Sequence, residues 1–298
     1  MEADRKPAER SASAAAPTRA ATMAASAAAA DRRKGTFWRG TLPFLLTCWK
    51  LNLAGAMEFR LSFLMTAGTM FLNNVIWLLF WGIFFDRFPD VAGWELKDVM
   101  LLWAVSAGGF GWASVLLGNF TRIAYLTANG ELDVYLTQPK PLLLNVLASR
   151  MSLTAIGDFL FGAAIYAYVG DHSWTGLASF LLALLMSGLF FLFFTLATGS
   201  LAFFFGNAEG IAFQLFNSFL AFTTYPADIF KGLGRLLLFT IVPAGFISYM
   251  PIGLLRGWDG SFMLAAAGML LLLAALSLGL FYAGLRRYSS GNRMAMRS

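Results

Sequence analysis

The sequence predicts an all-α integral membrane protein in which an amphipathic interfacial helix precedes about six transmembrane helices, with a re-entrant helical hairpin before the last of them. Hydrophobic residues make up 58% of the 298 residues and charged residues only 13%. A soluble domain of this length needs far more charge to cover its surface. Apolar runs also recur along the chain with lengths near the ~20 residues that cross a bilayer as a helix.

Two segments precede these apolar runs. Residues 1–35 are rich in Ala, Ser and Arg and have no apolar period, which indicates a disordered cytoplasmic tail. Residues 36–60 place apolar side chains on one helical face, as expected for an amphipathic helix in the membrane interface. These side chains are Phe37, Leu42, Leu45, Trp49 and Leu53. The alternative is that this segment is simply the start of the first span.

Short polar segments separate the expected spans of a six-span domain at residues 61–287. A cytoplasmic tail at residues 288–298 is expected to follow it. By number the spans are 61–85, 99–117, 151–169, 177–205, 211–224 and 261–285. The fourth is long and is expected to tilt or break near Gly199. The second contains Gly108, Gly109 and Gly111, which favour close helix packing.

The segment 225–257 contains an apolar stretch that is long enough to cross, but Pro243 and Pro251 interrupt it. Proline lacks a backbone N–H and breaks a helix, so two short helices that enter and return fit better than one span. Both termini then share one side with most of the 22 Lys and Arg residues. The positive-inside rule makes that side cytoplasmic and disfavours a seventh span.

Several kinds of site have no sequence signal. No Gly-x-x-x-x-Gly-Lys-Ser/Thr loop occurs, so ATP binding by that route is excluded. The single Cys48 excludes an intramolecular disulfide, and the single His172 argues against a His-rich metal site. We therefore expect no catalytic residue, no metal site and no cofactor bound by this chain. The positive charge clusters near the termini, which indicates contact with anionic lipid and not with nucleic acid.

A few polar residues lie inside the expected spans. Asp158 in the third span is a functional candidate, because a carboxylate in hydrocarbon is costly unless it faces protein or water. Pairing with a polar neighbour, or a position near the interface, would explain it equally well. Asn73 and Asn217, like Asn74 and Gln214, either line a pathway or join helices through hydrogen bonds, and both interpretations stay open.

The segment 118–141 carries the most specific local pattern. Its Asn129-Gly130 pair indicates a turn, and residues 131–136 then form a short predicted helix. Pro139 and Pro141 end this helix, whose apolar side comprises Leu132, Tyr135 and Leu136. A short amphipathic helix on the cytoplasmic side is typical of a docking element. An ordinary interfacial loop is the alternative.

Two motifs resemble those of type-2 ABC exporter permeases, specifically a bacterial branch once known only as an uncharacterised permease component. The first motif is Gly130-Glu131-Leu132-Asp133-x-Tyr135-Leu136-x-Gln138-Pro139. The second is Tyr225-Pro226-x-Asp228-Ile229-Phe230, followed by Pro243 and by Tyr249-x-Pro251. The resemblance covers residues 38–287 and leaves out the N-terminal tail.

The resemblance implies a bacterial inner-membrane protein whose first motif couples it to an ATPase and whose second forms an outer re-entrant gate. The implied coupling residues are Glu131, Leu132, Asp133, Tyr135, Leu136, Gln138 and Pro139. The implied gate residues are Tyr225, Pro226, Asp228, Pro243, Tyr249 and Pro251. Two ATPase subunits, which hold ATP and Mg, would bind below a pair of permeases. The second permease would be a related but different chain.

We therefore expect a permease subunit that forms the translocation path of an exporter and has no ATPase site of its own. The expected substrate is amphipathic: a lipid, a glycan-lipid or a drug. An ATP-independent secondary carrier or channel is the main alternative, and its transport would follow an ion gradient. An intramembrane enzyme would need a cluster of His, Asp, Glu or Cys that the sequence does not offer. A membrane scaffold without transport is the remaining class.

Overall fold

The computed structural model describes residues 40–205 and 208–288, which are helical apart from short connections. The predicted N-terminal tail, 1–35, lies outside the described residues, as do the first residues of the predicted interfacial helix. Of the predicted C-terminal tail, 288–298, only Tyr288 is described.

The helices follow the predicted spans closely. The first group is α1 (residues 40–58), α2 (Arg60–Arg87), α3 (Leu96–Leu117), a 3₁₀ turn (Gly118–Arg122), α4 (Ile123–Ala128), α5 (Asp133–Leu136) and α6 (Leu142–Ala148). The second is α7 (Thr154–Val169), α8 (Trp174–Gly199), a 3₁₀ turn (Ser200–Phe203) and α9 (Glu209–Thr223). The last is a 3₁₀ turn (Ala227–Ile229), α10 (Leu233–Thr240), α11 (Ala244–Ser248), a π-helical turn (Pro251–Arg256) and α12 (Gly260–Leu285).

Four helices of the described part are long and apolar enough to cross a membrane. They are Arg60–Arg87, Leu96–Ala128, Trp174–Phe203 and Gly260–Leu285, and the bent pair formed by α10 with the helices after it would be a fifth if counted as one span. Two predicted spans are shorter than the ~20 residues of a typical span: α7 has 16 residues and α9 has 15. Near Gly199, where the sequence predicted a tilt or a break, the helix changes from α to 3₁₀ but continues as one helix to Phe203.

One end of the helices, which we call the proximal end, is formed by residues 47–58 of α1, residues 114–152 and residues 284–288. Three contacts define it. They are Trp49 Nε1 donating to Leu116 O at 2.7 Å, Gly118 N donating to Arg150 O at 3.0 Å, and the Phe203 ring 6.1 Å from the Tyr288 ring. The first contact joins residues 47–58 of α1 to the C-terminal end of α3, so this part of α1 lies where the predicted cytoplasmic interface would be.

The opposite, distal end is formed by residues 88–98, 170–176 and 225–259. Glu95, Asp171 and Arg256 line one polar recess there, which brings the three connections together. The chain runs between the proximal and distal ends along α2, α3, α7, α8, α9 and α12 in turn. This is the order expected for six spans, although α7 and α9 are short.

The segment before α12 has both of its flanks at the distal end. A bend of 95° at Pro243 separates α10 from the helices after it. Asp228, ahead of the bend, accepts a hydrogen bond from Trp94 Nε1 at 2.9 Å. Arg256, after the bend, forms an ion pair with Asp98, with Nε to Oδ1 at 3.1 Å. Both flanks bind the same short stretch before and at the start of α3, which fits a re-entrant path, and that path stays a prediction.

Backbone-to-backbone packing joins α3 to α7. A Cβ atom added at Gly162 would lie 2.8 Å from Gly108 Cα and 2.6 Å from Ala104 O, so Gly162 has no room for a side chain. In a bilayer no hydrophobic force drives helices together, and close van der Waals contact between small residues takes its place. The glycine cluster predicted from α3 therefore acts in packing.

Gly162→Ala should force α7 away from α3 and lower the free energy of unfolding by about 1–3 kcal/mol, as overpacking does. The matched control is Gly279→Ala on α12, where an added Cβ would meet nothing within 4 Å. Denaturant unfolding of both variants in one detergent measures the difference. Equal stability of the two variants would contradict the packing role.

The re-entrant path can be tested by labelling single introduced cysteines with a membrane-impermeant maleimide. The background for this test is Cys48→Ser, because Cys48 is the only cysteine of the chain. Single cysteines at the exposed positions Lys231 and Trp258, on either side of the bend, should label from the same side of the membrane. A cysteine at exposed Thr137 should label from the opposite side. Labelling of positions 231 and 258 from opposite sides would show a broken span.

Candidate functional site

A cavity of about 330 Å³ lies among α2, α3, α7 and α9, and we call it the aromatic cavity. Its wall includes Asn73 of α2, Asp158 of α7 and Asn217 of α9. These are the three residues that the sequence pattern suggested for a pathway. The structure brings them together from three different helices.

Asp158 is the only acidic residue that lines this cavity among the described residues, and it is 2% exposed. Its Oδ1 accepts a hydrogen bond from Asn74 Nδ2 at 2.7 Å. Its Oδ2 is buried without a hydrogen-bond partner among the described residues. One oxygen is therefore paired across helices with a polar neighbour, as one interpretation of the sequence expected, and a functional role for Asp158 stays a prediction.

The asparagines take both roles suggested for them. Asn74 joins α2 to α7 through its hydrogen bond to Asp158 and also lines the cavity, and its exposed neighbour Asn73 lines the cavity too. Asn217 donates Nδ2 to Phe213 O on its own helix at 2.9 Å. That hydrogen bond joins no two helices, so it gives no support to a joining role for Asn217. The sequence pattern did not separate Asn73 from Asn74.

Aromatic side chains form much of the remaining wall of the cavity. The rings of Trp77 and Trp103 are stacked with centroids 6.1 Å apart, and those of Trp81 and Tyr225 meet edge to face at 5.9 Å. All four side chains line the cavity. The sequence pattern missed the three tryptophans, because a tryptophan in a span looks the same whether it faces lipid, protein or a cavity.

Tyr225 alone of the six predicted gate residues lines the aromatic cavity. The others set the course of the re-entrant segment. Pro226 is buried before the 3₁₀ turn, and Asp228 forms an ion pair with Arg235 at 3.1 Å. Pro243 comes directly before α11, and Pro251 begins the π-helical turn. The Tyr249 ring lies 5.2 Å from the Phe262 ring. Their part in gating stays a prediction.

The predicted docking helix is shorter than expected and lies at the proximal end. Residues 131–136 were expected to be helical, but α5 is a single turn, Asp133–Leu136. A turn at Gly130, with φ of +72°, precedes it. Leu132 is fully buried in an apolar cluster with Leu143 and Phe281, so it cannot touch another protein. Of the predicted apolar side, only Leu136 is exposed.

The exposed part of this segment, which we call the docking surface, consists of Val134, Leu136, Thr137, Gln138, Pro139 and Lys140. Val134 is 63% exposed and Leu136 is 47% exposed. The sequence pattern missed Val134. Glu131, Asp133 and Tyr135 are half-buried and sit behind this surface.

Hydrogen bonds hold the docking surface to the helices behind it. The Tyr135 hydroxyl lies 3.0 Å from Ser149 Oγ, and Asn145 Nδ2 donates to Gln138 Oε1 at 2.8 Å. Tyr288, after α12, lies beside Asp133. Burial and the Asp133 carboxylate raise the pKa of Tyr288 to about 12. The part of the chain that carries the docking surface is thus held both to α6 and to the end of the last span.

A family model described as ABC-2 family transporter protein matches residues 71–291. The chain belongs to the ABC-2 transporter family. The match covers most of α2 and everything through α12, including both motifs, and leaves α1 outside. No curated protein and no solved structure matches the chain. As an ABC-2 family member it is a multi-pass membrane permease of an ABC transporter, and such permeases work with an ABC ATPase subunit.

Leu132→Ala should leave a void in the apolar cluster and lower the free energy of unfolding by about 2–5 kcal/mol. Leu136→Ala removes the same atoms from an exposed position and should leave stability unchanged within about 0.5 kcal/mol. Unfolding of both variants, without any partner subunit, measures the contrast. A stable Leu132→Ala protein would mean that Leu132 is not anchored as described.

Proposed function

We propose that this ABC-2 permease forms the translocation path of an exporter in the bacterial inner membrane and moves an amphipathic molecule. The observation that carries the proposal is the aromatic cavity, where three helices contribute Asn73, Asp158 and Asn217 to a wall that is otherwise mostly aromatic or aliphatic. An apolar wall with a few polar groups suits a lipid, a glycan-lipid or a drug.

The energy for transport comes from two ABC ATPase subunits, which hold ATP and Mg, while this chain binds neither. They dock on the docking surface at the proximal end, which makes that end and both termini cytoplasmic. The exposed Val134 and Leu136 support this role, since exposed apolar side chains outside the lipid are typical of a protein interface. The excess of Lys and Arg in the proximal segments of the sequence supports the same orientation.

A second permease, related to this chain but different from it, completes the translocation path. The outer face of α2 supports this assembly, because only 11% of its most apolar stretch is buried, against 67% for α3 and α8. This face is available to lipid and to a partner permease. Dimerisation across it would enclose the aromatic cavity, which α2 borders.

The ABC-2 exporter assembly can be tested by affinity purification of the tagged chain co-expressed with ABC ATPase subunits of its own genome. The double variant Val134→Ala and Leu136→Ala should recover about tenfold less ATPase, which corresponds to ~1.4 kcal/mol of binding energy. The control is Leu233→Ala, a still more exposed leucine at the distal end, and it should recover as much ATPase as the unmodified chain.

Unchanged ATPase recovery by the double variant would remove the docking surface from the proposal.

The unpaired oxygen of Asp158 favours one alternative, a carrier driven by an ion gradient. Transport in vesicles separates the two functions: an exporter needs ATP and ignores the gradient, whereas a carrier does the reverse.

A further inference from the structure

We infer that the aromatic cavity binds the cationic group of its ligand, an organic cation whose charge is flanked by apolar groups. This inference rests on the proposed function, in which the aromatic cavity is part of the translocation path, and it names the class of substrate that this cavity binds. It is carried by two observations on the cavity wall: a buried acidic side chain with one unpaired oxygen, and aromatic rings around it.

The first observation concerns the charge of the cavity. Asp158 is almost completely buried, and Oδ2 finds no hydrogen-bond donor among the described residues. A buried carboxylate oxygen without a donor is costly, so a ligand that supplies positive charge there gains more than one that does not. Asn74 stabilises only the other oxygen and holds the carboxyl group in place.

No basic residue compensates this carboxyl group within the described part of the chain. The lining of the aromatic cavity contains neither lysine nor arginine. Arg122 and Arg150 line a separate cavity at the proximal end, together with Glu209. The counter-charge of Asp158 is therefore left for the ligand to provide.

The second observation concerns the walls. Trp77, Trp81, Trp103 and Tyr225 supply aromatic rings around the cavity. The face of an aromatic ring carries negative potential and attracts cations, most strongly for tryptophan, and aromatic cages select quaternary ammonium groups in this way. The same rings accommodate the apolar groups that flank the charge. An anion would be repelled by both features, and a neutral molecule would leave Asp158 unpaired.

The test uses the full chain in lipid nanodiscs without nucleotide. Two probes are measured separately by equilibrium dialysis, with empty nanodiscs as the blank: tetraphenylphosphonium, a cation, and triphenylphosphine oxide, a neutral molecule with similar phenyl groups. The unmodified chain should bind the cation at least about tenfold more tightly, the scale of a desolvated charge and cation–π contact. Equal binding of the two probes would overturn the inference without use of any variant.

Asp158→Asn keeps the shape of the side chain and an oxygen for Asn74, and it should abolish the preference for the cation. The control is Asp86→Asn, which neutralises an exposed carboxylate of α2 that does not line the cavity, and it should keep the preference. A cation preference that survives Asp158→Asn would overturn the inference. Loss in both variants would also overturn it, because the effect would then follow net charge and not this site.

These results are independent of the exporter assembly. A preference for the cation that depends on Asp158 would stand even if no ATPase subunit co-purified with the chain. ATPase co-purification without a cation preference would leave the exporter proposal intact and remove only this substrate class.

Discussion

The close contact of α3 with α7 fixes the position of the groups on which the rest of the ABC-2 permease depends. Because Gly108 and Gly162 have no side chains, the two backbones touch. Asp158 lies one turn before Gly162 on α7, and this packing sets it against Asn74 of α2. A larger side chain at Gly162 would separate the helices and disturb the hydrogen bond that orients the carboxyl group. Packing of small residues, which is the main source of helix association in lipid, thus determines the chemistry of the cavity.

Polar interactions, by contrast, organise the two ends. At the distal end, Asp98 and Trp94 bind the two flanks of the re-entrant segment, so one short stretch before and in α3 holds both. At the proximal end, side chains of α5 and α6 and the residue after α12 hold the docking surface. The apolar middle has fewer polar contacts, among which are the buried pairs Asp158 with Asn74 and Ser106 with Thr223.

Much of the fold could be predicted from the sequence, because long apolar runs bounded by charges and prolines leave little freedom in where helices begin and end. The bend at Pro243 followed from the missing backbone N–H. The orientation of Leu132 could not be predicted, since a single helical turn has too few residues to show a period. The docking surface was for the same reason only partly predicted.

The candidate site shows a similar limit. Asp158 stood out because a carboxyl group is rare in an apolar run, and Asn73 and Asn217 for a related reason. Nothing in the pattern of one sequence could distinguish Asn73 from Asn74, as neighbours on a helix differ by 100° in direction and the facing helix decides which is buried. Nor could it group Trp77, Trp81 and Trp103 around one cavity, since that grouping arises only when α2 and α3 pack.

The ties behind the docking surface also have a mechanical consequence. A single helical turn on a free loop would bend under load and transmit little displacement. Here Leu132 is embedded in the apolar cluster, Tyr135 contacts Ser149, and Asp133 lies beside Tyr288. A push on this turn would therefore reach two parts of the chain that are distant in sequence, the residues just before α7 and the end of α12. A short turn that is held at two places would lose little of that displacement to bending.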